Sequence, residues 1–319
     1  MNICIIGNSG HWGYAKRELS NHNVVGIAPG YPGDDMVAVQ NLLTKYGIYA
    51  PIYEDYGMLI ECVDVAVINS RFDLNAEIAA RCLEKNVHAF CEKPLATSLE
   101  QLEMLRKVYE GSKAMVTGMF GIRYSGWCLT VQKAVKDIGQ IRMVNAQKSY
   151  KLGLRPDFYK NREQFGGIIP WVAIHAIDWI WAITGAKVEK INAMTDECYN
   201  FENGDLEMTA LCQFRLENNI LASVNADYYR PLTAPTHDDD RVRVVGTEGI
   251  VEYKGGVVTK IGANGVEELS MLPPENVFSL FLRRIAGEDI GITPEECFYL
   301  TEIALKARYL ADQTKNISE

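Results

Sequence analysis

The chain has 319 residues, of which 48% are apolar and 23% are charged, and its formal net charge is −9. This length and apolar fraction predict a globular protein with a core large enough for two domains. Nucleic acid is disfavoured as a partner, because phosphate binding needs clustered Lys and Arg and the chain has no basic block.

The sequence shows neither a targeting segment nor a disulfide pattern. No apolar run reaches the roughly 18 residues of a membrane span, and the start Met1-Asn2-Ile3-Cys4 lacks the charged region of a signal peptide. The eight cysteines are scattered without a Cys-x-x-Cys pair, as is typical of buried reduced thiols. We therefore expect a cytoplasmic protein with no membrane partner and no metal site.

The first third of the chain alternates strands and helices. Apolar runs predict strands at 3–6, 24–28, 63–68 and 87–90, and helical patterns lie at 14–19, 36–46, 55–61 and 74–85. This rhythm predicts an α/β fold with a doubly wound parallel sheet. The alternation stops near 118, so we expect a nucleotide-binding domain over 1–118 and a second domain over 119–319.

A glycine-rich turn follows the first strand and precedes the first helix. It reads Gly7-Asn8-Ser9-Gly10-His11-Trp12-Gly13. Glycines here let the backbone approach a pyrophosphate at a helix N-terminus. The spacing is Gly-x-x-Gly-x-x-Gly rather than Gly-x-Gly-x-x-Gly. Its position predicts a dinucleotide site formed by residues 7–12, and a tight strand–helix turn without a ligand is the alternative.

The end of the second strand does not choose between NAD and NADP. NAD sites usually place an acid here for the ribose 2′-hydroxyl, and NADP sites favour Arg. The strand ends Ala28-Pro29-Gly30-Tyr31 and offers neither. Asp34 and Asp35 follow and could swing back, although a solvated acidic loop is favoured.

The run Cys91-Glu92-Lys93-Pro94 ends the strand at 87–90. Proline stops the strand, so Glu92 and Lys93 lie at its carboxyl edge, where ligands bind in open α/β sheets. A lysine there can hold a substrate hydroxyl and help its proton leave. A surface Glu-Lys pair before a turn is the alternative.

The remaining two thirds predict a second α/β domain with a mainly antiparallel sheet. Strand patterns occur at 141–150, 187–195, 206–216, 219–228, 241–245, 249–253 and 256–261, and helices are predicted at 129–136, from Pro170 to Thr184, and at 294–314. The last helix could pack back on the first domain. Pro170 suits a first helical turn and Gly185 a helix C-terminus.

Three side chains on the helix beginning at Pro170 are candidate site residues. Trp171, His175 and Asp178 are spaced i, i+4 and i+7, which places them on one face of an α-helix. His175 and Asp178 could form an oriented imidazole–carboxylate pair that acts as a general base. A hydrogen-bonded core histidine is the alternative.

Taken together, these segments resemble the Gfo/Idh/MocA oxidoreductases along nearly the whole chain. The resemblance is carried by Phe90-Cys91-Glu92-Lys93-Pro94-Leu95-Ala96, Gly166-Gly167, His175-Ala176-Ile177-Asp178 and Val245-Gly246-Thr247-Glu248-Gly249. It implies a Rossmann domain joined to an α/β domain with an open, mainly antiparallel sheet. It further implies NAD or NADP as cofactor, a sugar or polyol substrate in the cleft between the domains, and a homodimer or homotetramer.

The resemblance also implies residue roles. Lys93 would contact the reacting hydroxyl and the nicotinamide ribose, and His175 would serve as base. Asp178 would bind a substrate hydroxyl or orient His175, and Arg123 and Tyr124 match a polar segment of the family. Weaker substrate candidates are Lys148, Tyr150, Tyr228 and Tyr229. The Lys93–Pro94 peptide is expected to be cis.

Several positions depart from the family pattern. Trp171 stands where an aspartate is common, and Ala173 replaces a glycine. Two roles are open for Trp171: a platform on which a sugar stacks, or a side chain that fills the position of the substrate. Ser70 and Arg71 replace Thr-Pro, and Asn75 replaces histidine; we keep all three as cofactor-site candidates. The leading hypothesis is an NAD(P)-dependent dehydrogenase. A cofactor-retaining enzyme without net redox change and a non-catalytic ligand-binding member are the alternatives.

Overall fold

The computed structural model describes residues 1–315. The strands are β1 (Asn2–Ile6), β2 (Asn23–Ala28), β3 (Val65–Ile68), β4 (His88–Cys91), β5 (Val116–Gly118), β6 (Ile141–Tyr150), β7 (Val188–Asp196), β8 (Thr209–Leu216), β9 (Ile220–Asp227), β10 (Asp238–Gly246), β11 (Ile250–Lys254), β12 (Val257–Gly262) and β13 (Gly265–Leu269). The α-helices are α1 (Lys16–Leu19), α2 (Met36–Thr44), α3 (Tyr56–Leu59), α4 (Asn75–Glu84), α5 (Leu99–Gly111), α6 (Gly126–Ala134), α7 (Arg162–Phe165), α8 (Ile174–Thr184), α9 (Val277–Ile285) and α10 (Pro294–Lys315). Of these, α5, α7, α9, β5 and β13 were not predicted from the sequence.

The chain forms two compact units. The first comprises Met1–Gly121, Glu163–Gly166 and Asn276–Glu302, and the second contains Ile122–Arg162, Gly167–Glu275 and residues 303–315. The first unit thus runs to Gly121, and α9 with the first part of α10 groups with it.

The first unit contains a five-stranded parallel sheet with the order β2-β1-β3-β4-β5. Its central strands are continuous apolar runs, and Ile3–Ile6 and Val65–Ile68 are completely buried. Such runs are expected where helices cover both faces of a parallel sheet. Because β2 and β3 flank β1, the strand order reverses at β1, and ligands bind at the carboxyl ends of strands at such a reversal. The prediction of a doubly wound parallel sheet is confirmed.

The second unit contains an eight-stranded sheet with the order β13-β12-β11-β10-β6-β9-β8-β7. Only the β6–β9 pair is parallel, so the mainly antiparallel sheet is also confirmed. Along β6 the side chains at 144, 146, 148 and 150 are buried, whereas those at 143, 145 and 147 are partly exposed. One face of the sheet therefore packs against α6 and α8, and the other is open.

The helix that carries His175 begins with a π-helical turn. Ile169–Ala173 form that turn, α8 starts at Ile174, and Gly185 ends it with a φ of 61°. Because a π turn has i→i+5 hydrogen bonds, α-helical spacing applies to His175 and Asp178 but not to Trp171. The shared face therefore follows from α-helical geometry for His175 and Asp178, and the placement of Trp171 on that face stays a prediction.

One helical segment, Arg162–Thr184, has the length and composition of a membrane span. Of its most apolar 18 residues, 89% are buried inside the protein. A core helix of a folded domain has this same signature.

Candidate functional site

The glycine-rich loop packs against the ends of β3 and β4. Gly7 has a φ of +82°, and a Cβ there would lie 2.6 Å from the carbonyl oxygen of Asn69. That carbonyl accepts a hydrogen bond from the Ser9 N–H at 2.7 Å. A Cβ on Gly10 would collide with the Glu92 carboxylate. Only glycine permits this approach of loop to sheet edge.

Glu92 ties the end of β4 to the loop. Its buried carboxylate accepts hydrogen bonds from the His11 N–H at 2.5 Å and His11 Nδ1 at 2.8 Å, and from the Lys93 N–H at 3.0 Å. Burial by itself raises the pKa of Glu92, but His11 and the Lys93 charge outweigh it and the net pKa is lowered. Glu92 therefore stays ionised and positions the loop.

Lys93 follows at the same edge and is 1% exposed. The Lys93–Pro94 peptide is cis, as expected from the family resemblance. A lysine side chain with so little access to water is unusual unless its ammonium group has polar partners or a ligand. Its location at the carboxyl end of a central strand matches the sequence-based placement.

Buried polar side chains cluster after β3. Asn69, Ser70 and Asn75 are each completely buried. The side-chain amides of Asn69 and Asn75 and the Ser70 hydroxyl have no hydrogen-bond partner among the described residues. Leaving such groups unsatisfied is costly. They are therefore suited to contact a polar ligand at this sheet edge.

The structure corrects the prediction that Asp34 lies in a solvated acidic loop. Its carboxylate accepts hydrogen bonds from the N–H groups of Gly30 (2.8 Å) and Asn8 (3.2 Å) and from Ser9 Oγ (3.3 Å), so it is not part of a solvated loop. It links the segment after β2 to the glycine-rich loop. Burial raises the pKa of Asp34 against these hydrogen bonds. Asp35 instead caps α2 by accepting from the Ala38 N–H.

The other predicted cofactor residues have defined surroundings. Trp12 is buried, and its Nε1 donates to Asn8 Oδ1 at 3.3 Å. Pro29 is half-buried just after β2. Arg71 pairs with Asp73 through two hydrogen bonds of 2.7 and 2.9 Å, and its guanidinium lies 5.4 Å from the Tyr31 ring centroid. The Arg71 charge is therefore already balanced.

In the second unit, the structure brings two predicted residues together. Arg123 Nε donates to Asp178 Oδ1 at 2.7 Å, and both side chains are buried. A buried ion pair of this kind holds its members in one orientation. His175 is 2% exposed and lies one turn before Asp178 on α8. Tyr124 is buried, and its carbonyl accepts from the Glu275 N–H.

Trp171 and Tyr228 lie within aromatic clusters. Trp171 is 4% exposed and meets the Tyr159 ring edge-on at 6.1 Å. Most of its indole surface is therefore packed against protein. Tyr228 is 2% exposed, stacks on Tyr150 at 6.3 Å, and has a hydroxyl without a hydrogen-bond partner among the described residues.

Lys148 belongs to a buried charged cluster whose acids sequence reasoning missed. Its Nζ lies 2.6 Å from Asp240 Oδ1 and 3.1 Å from Asp238 Oδ2. It also lies 4.7 Å from the Tyr150 ring centroid. Burial raises the pKa of Asp240 to about 6, although Lys148 opposes the shift. The Lys148–Asp240 pairing follows from β6–β10 register, which no local pattern reveals.

Within residues 1–315, no group of three or more His, Cys, Asp or Glu side chains could hold a metal ion. The edge of the five-stranded sheet fits a dinucleotide instead. The positive-φ Gly7 provides the close backbone approach that a pyrophosphate needs. The Asn69, Ser70 and Asn75 side chains offer buried polar groups to the same ligand, and Asp34 offers a carboxylate.

Two family models match the chain, over residues 1–120 as an oxidoreductase family with an NAD-binding Rossmann fold and over residues 129–252 as a GFO/IDH/MocA C-terminal domain. The chain belongs to the Gfo/Idh/MocA oxidoreductases. The resemblance expected from the sequence is thereby confirmed, as are the Rossmann fold and its NAD-binding character.

Individual Gfo/Idh/MocA relatives agree with this assignment. The solved structure of a putative oxidoreductase from Thermotoga maritima is 46% identical, with a TM-score of 0.95 and 98% of each chain covered. Inositol 2-dehydrogenase of Salmonella typhimurium is 32% identical over 165 residues, which span 50% of this chain and 47% of that protein. The match thus spans about half the length of that curated relative. A levoglucosan dehydrogenase in complex with NADH and levoglucosan has the same fold, with 18% identity, a TM-score of 0.82 and 98% and 97% of the two chains covered.

Proposed function

We propose that this protein is a dehydrogenase that transfers hydride between a nicotinamide cofactor and the secondary hydroxyl or carbonyl carbon of a sugar or polyol. The observation that carries the proposal is the buried Glu92-Lys93 pair at the end of β4, joined to the glycine-rich loop through His11. It places a desolvated cation beside the backbone that fits a pyrophosphate. The named activities of the inositol and levoglucosan relatives support the substrate class.

The proposed mechanism assigns one task to each residue. Lys93 Nζ donates to the reacting hydroxyl and stabilises the alkoxide that forms as its proton leaves. The neutral imidazole of His175 accepts that proton, and Asp178, fixed by Arg123, holds a substrate hydroxyl or the imidazole in place. Bound NAD supplies the hydride acceptor. Glu92 holds the loop through His11 and keeps negative charge near the Lys93 ammonium.

We further propose that the cofactor is NAD rather than NADP. Asp34 supports this choice, because a carboxylate after β2 accepts the adenosine ribose 2′-hydroxyl and repels a 2′-phosphate. Arg71, the arginine at the same edge, is already paired with Asp73 and its charge is balanced. The acid expected of an NAD site is thus supplied six residues beyond the strand end.

The oligomeric state and the cellular compartment are also proposals. Exposed apolar side chains on the open face of the eight-stranded sheet, Met194, Leu211 and Leu221, support a homodimer or homotetramer. The eight free thiols support a reducing compartment such as the cytoplasm. Light scattering after size-exclusion chromatography tests the first, and a Leu221→Asp variant that lowers the measured mass would support the open face as the interface.

Titration with NAD, NADH, NADP and NADPH, followed by tryptophan fluorescence, tests the cofactor proposal. Trp12 lies within the proposed loop and is the expected reporter, so a Trp12→Phe variant identifies its share of the signal. We expect saturable binding of NAD and NADH and weaker binding of the phosphorylated pair. A screen of sugars and polyols for NAD reduction then tests the chemistry. Absence of binding by all four dinucleotides would favour the non-catalytic alternative.

A further inference from the structure

A cation without a carboxylate partner lies beside a buried phenol in the second unit. The guanidinium carbon of Arg155 is 5.1 Å from the Tyr228 ring centroid and 5.4 Å from that of Tyr159. Arg155 Nη2 donates to the Lys151 carbonyl at 3.2 Å, but its buried Nε has no acceptor among the described residues. Most other arginines in the described part of the chain pair with an acid, whereas Arg155 does not.

The Tyr228 hydroxyl adds a second, independent observation. Tyr228 is 2% exposed, and its hydroxyl has no partner within the described chain. Burial raises the pKa of Tyr228 well above its ordinary value, so the hydroxyl remains a hydrogen-bond donor. The buried phenol hydroxyl and the buried guanidinium N–H both lack acceptors, and their side chains lie close together, with the guanidinium carbon 5.1 Å from the ring centroid. Both donors call for the same kind of group: an acceptor with negative charge.

The surrounding charges are arranged to the same end. Lys148 is matched by Asp238 and Asp240, so it adds little net charge. Lys151 Nζ donates to the Ala234 carbonyl and makes no ion pair within the described residues. Burial lowers the pKa of His237, and the charges of Arg155, Lys148 and Lys151 lower it further against the opposing effect of Asp238, so all three cations lie near this imidazole. Arg155 and Lys151 are therefore two cations near this imidazole whose printed hydrogen bonds go to backbone carbonyls and not to a carboxylate of the described residues.

We infer that Arg155 and Tyr228 form an oxyanion-binding subsite, so that the substrate of this protein is a sugar or polyol carrying a carboxylate or phosphate group. The inference rests on the proposed dehydrogenase function and names its substrate class. The planar guanidinium takes one or two oxygens of the anion, the phenol donates to another, and the Tyr150–Tyr228 stack excludes water. Both residues determine specificity and take no part in hydride transfer.

Calorimetric binding of matched pairs tests the inference: D-galacturonate against D-galactose for a carboxylate, and glucose 6-phosphate against glucose for a phosphate. The wild-type protein is expected to bind at least one charged member about tenfold or more tightly than its neutral partner. Arg155→Met should remove that preference without changing the affinity for the neutral sugar or for NAD. Tyr228→Phe, which keeps the ring, should weaken only the charged ligand. Arg142→Met, the same change at an exposed position of β6, is the control.

Each outcome bears on one proposal. The subsite would be overturned if both neutral sugars bound as tightly as their charged partners or more tightly, or if neither charged sugar bound. It would also be overturned if Arg155→Met lost the same affinity for both members of a pair. If Arg155→Met fails to fold, Tyr228→Phe decides alone. NAD binding and oxidation of neutral polyols without a charge preference would refute the subsite and leave the dehydrogenase intact. If the protein bound the charged sugar selectively but bound no dinucleotide, the dehydrogenase proposal would be refuted and the subsite would stand.

Discussion

Replacement of Gly7 by Ala tests whether the glycine-rich loop approaches the sheet edge as closely as the structure shows. A Cβ at residue 7 would lie 2.6 Å from the Asn69 carbonyl oxygen and 2.8 Å from Ser70 Cα, and its φ is +82°. The positive φ costs about 1–2 kcal/mol for a residue with a Cβ. Displacing backbone in a packed region costs about 1–3 kcal/mol more. We therefore expect Gly7→Ala to lower the free energy of unfolding by about 2–5 kcal/mol and to weaken NAD binding.

Two other glycines of the same unit are matched controls. Gly47 has a φ of +74°, and a Cβ there would have no atom within 4 Å, so Gly47→Ala carries only the conformational cost of about 1–2 kcal/mol. Gly13 has neither a positive φ nor a neighbour, so Gly13→Ala should change stability by less than about 0.5 kcal/mol. Urea unfolding and calorimetric NAD titration measure both quantities. A Gly7→Ala protein as stable as Gly47→Ala, with wild-type NAD affinity, would refute the close approach.

Three further predictions concern charged groups. Asp34→Asn should reduce the ratio of NAD affinity to NADP affinity by about tenfold or more, since a hydrogen bond to a charged group contributes about 1.5–3 kcal/mol. Asp35→Asn, which changes only the side chain that caps α2, should leave this ratio unchanged. Equal changes of the ratio in the two variants would contradict the role of Asp34. Because the folded-state pKa of Glu92 is lowered, its contribution to stability is present above about pH 4.5 and is lost at lower pH, so Glu92→Gln should flatten the acid limb of the stability profile. Burial raises the pKa of Asp240 to about 6, so the folded protein binds the carboxyl proton more tightly than the unfolded chain does. The contribution of Asp240 to the free energy of unfolding should therefore increase as pH falls from about 6 towards 3.8. Asp240→Asn should remove this pH-dependent contribution, and an unchanged stability profile would show that Asp240 titrates normally.

Much of the fold was predictable because its signals are local. The strands of the parallel sheet are short apolar runs bounded by turns, and Gly185 ends α8 in the left-handed conformation expected of a helix C-terminus. Two of the elements that were missed bury few side chains. Helix α5 buries only Leu102 and Leu105, and β13 has no buried side chain, so neither shows a strong apolar period.

The site was predictable only in part. Lys93 could be placed because proline stops β4 at a ligand-binding edge. The contact of Asp34 with Asn8 and Ser9 could not, since it depends on how the loops after β1 and β2 fold against each other. Likewise, Lys148 meets Asp240 through strand register, and Arg155 meets Tyr228 across segments far apart in the chain. Such contacts are properties of tertiary structure, not of any local pattern.

The central claim is that the buried lysine at the end of β4 takes part in hydride chemistry on a bound substrate. Turnover of wild-type protein and Lys93→Met, measured with NAD and the best substrate of the sugar and polyol screen, tests it most directly. The account predicts that turnover at saturating NAD falls by at least about 100-fold, while the protein still binds NAD by calorimetry and its unfolding transition stays close to wild type. Wild-type turnover in Lys93→Met would contradict it.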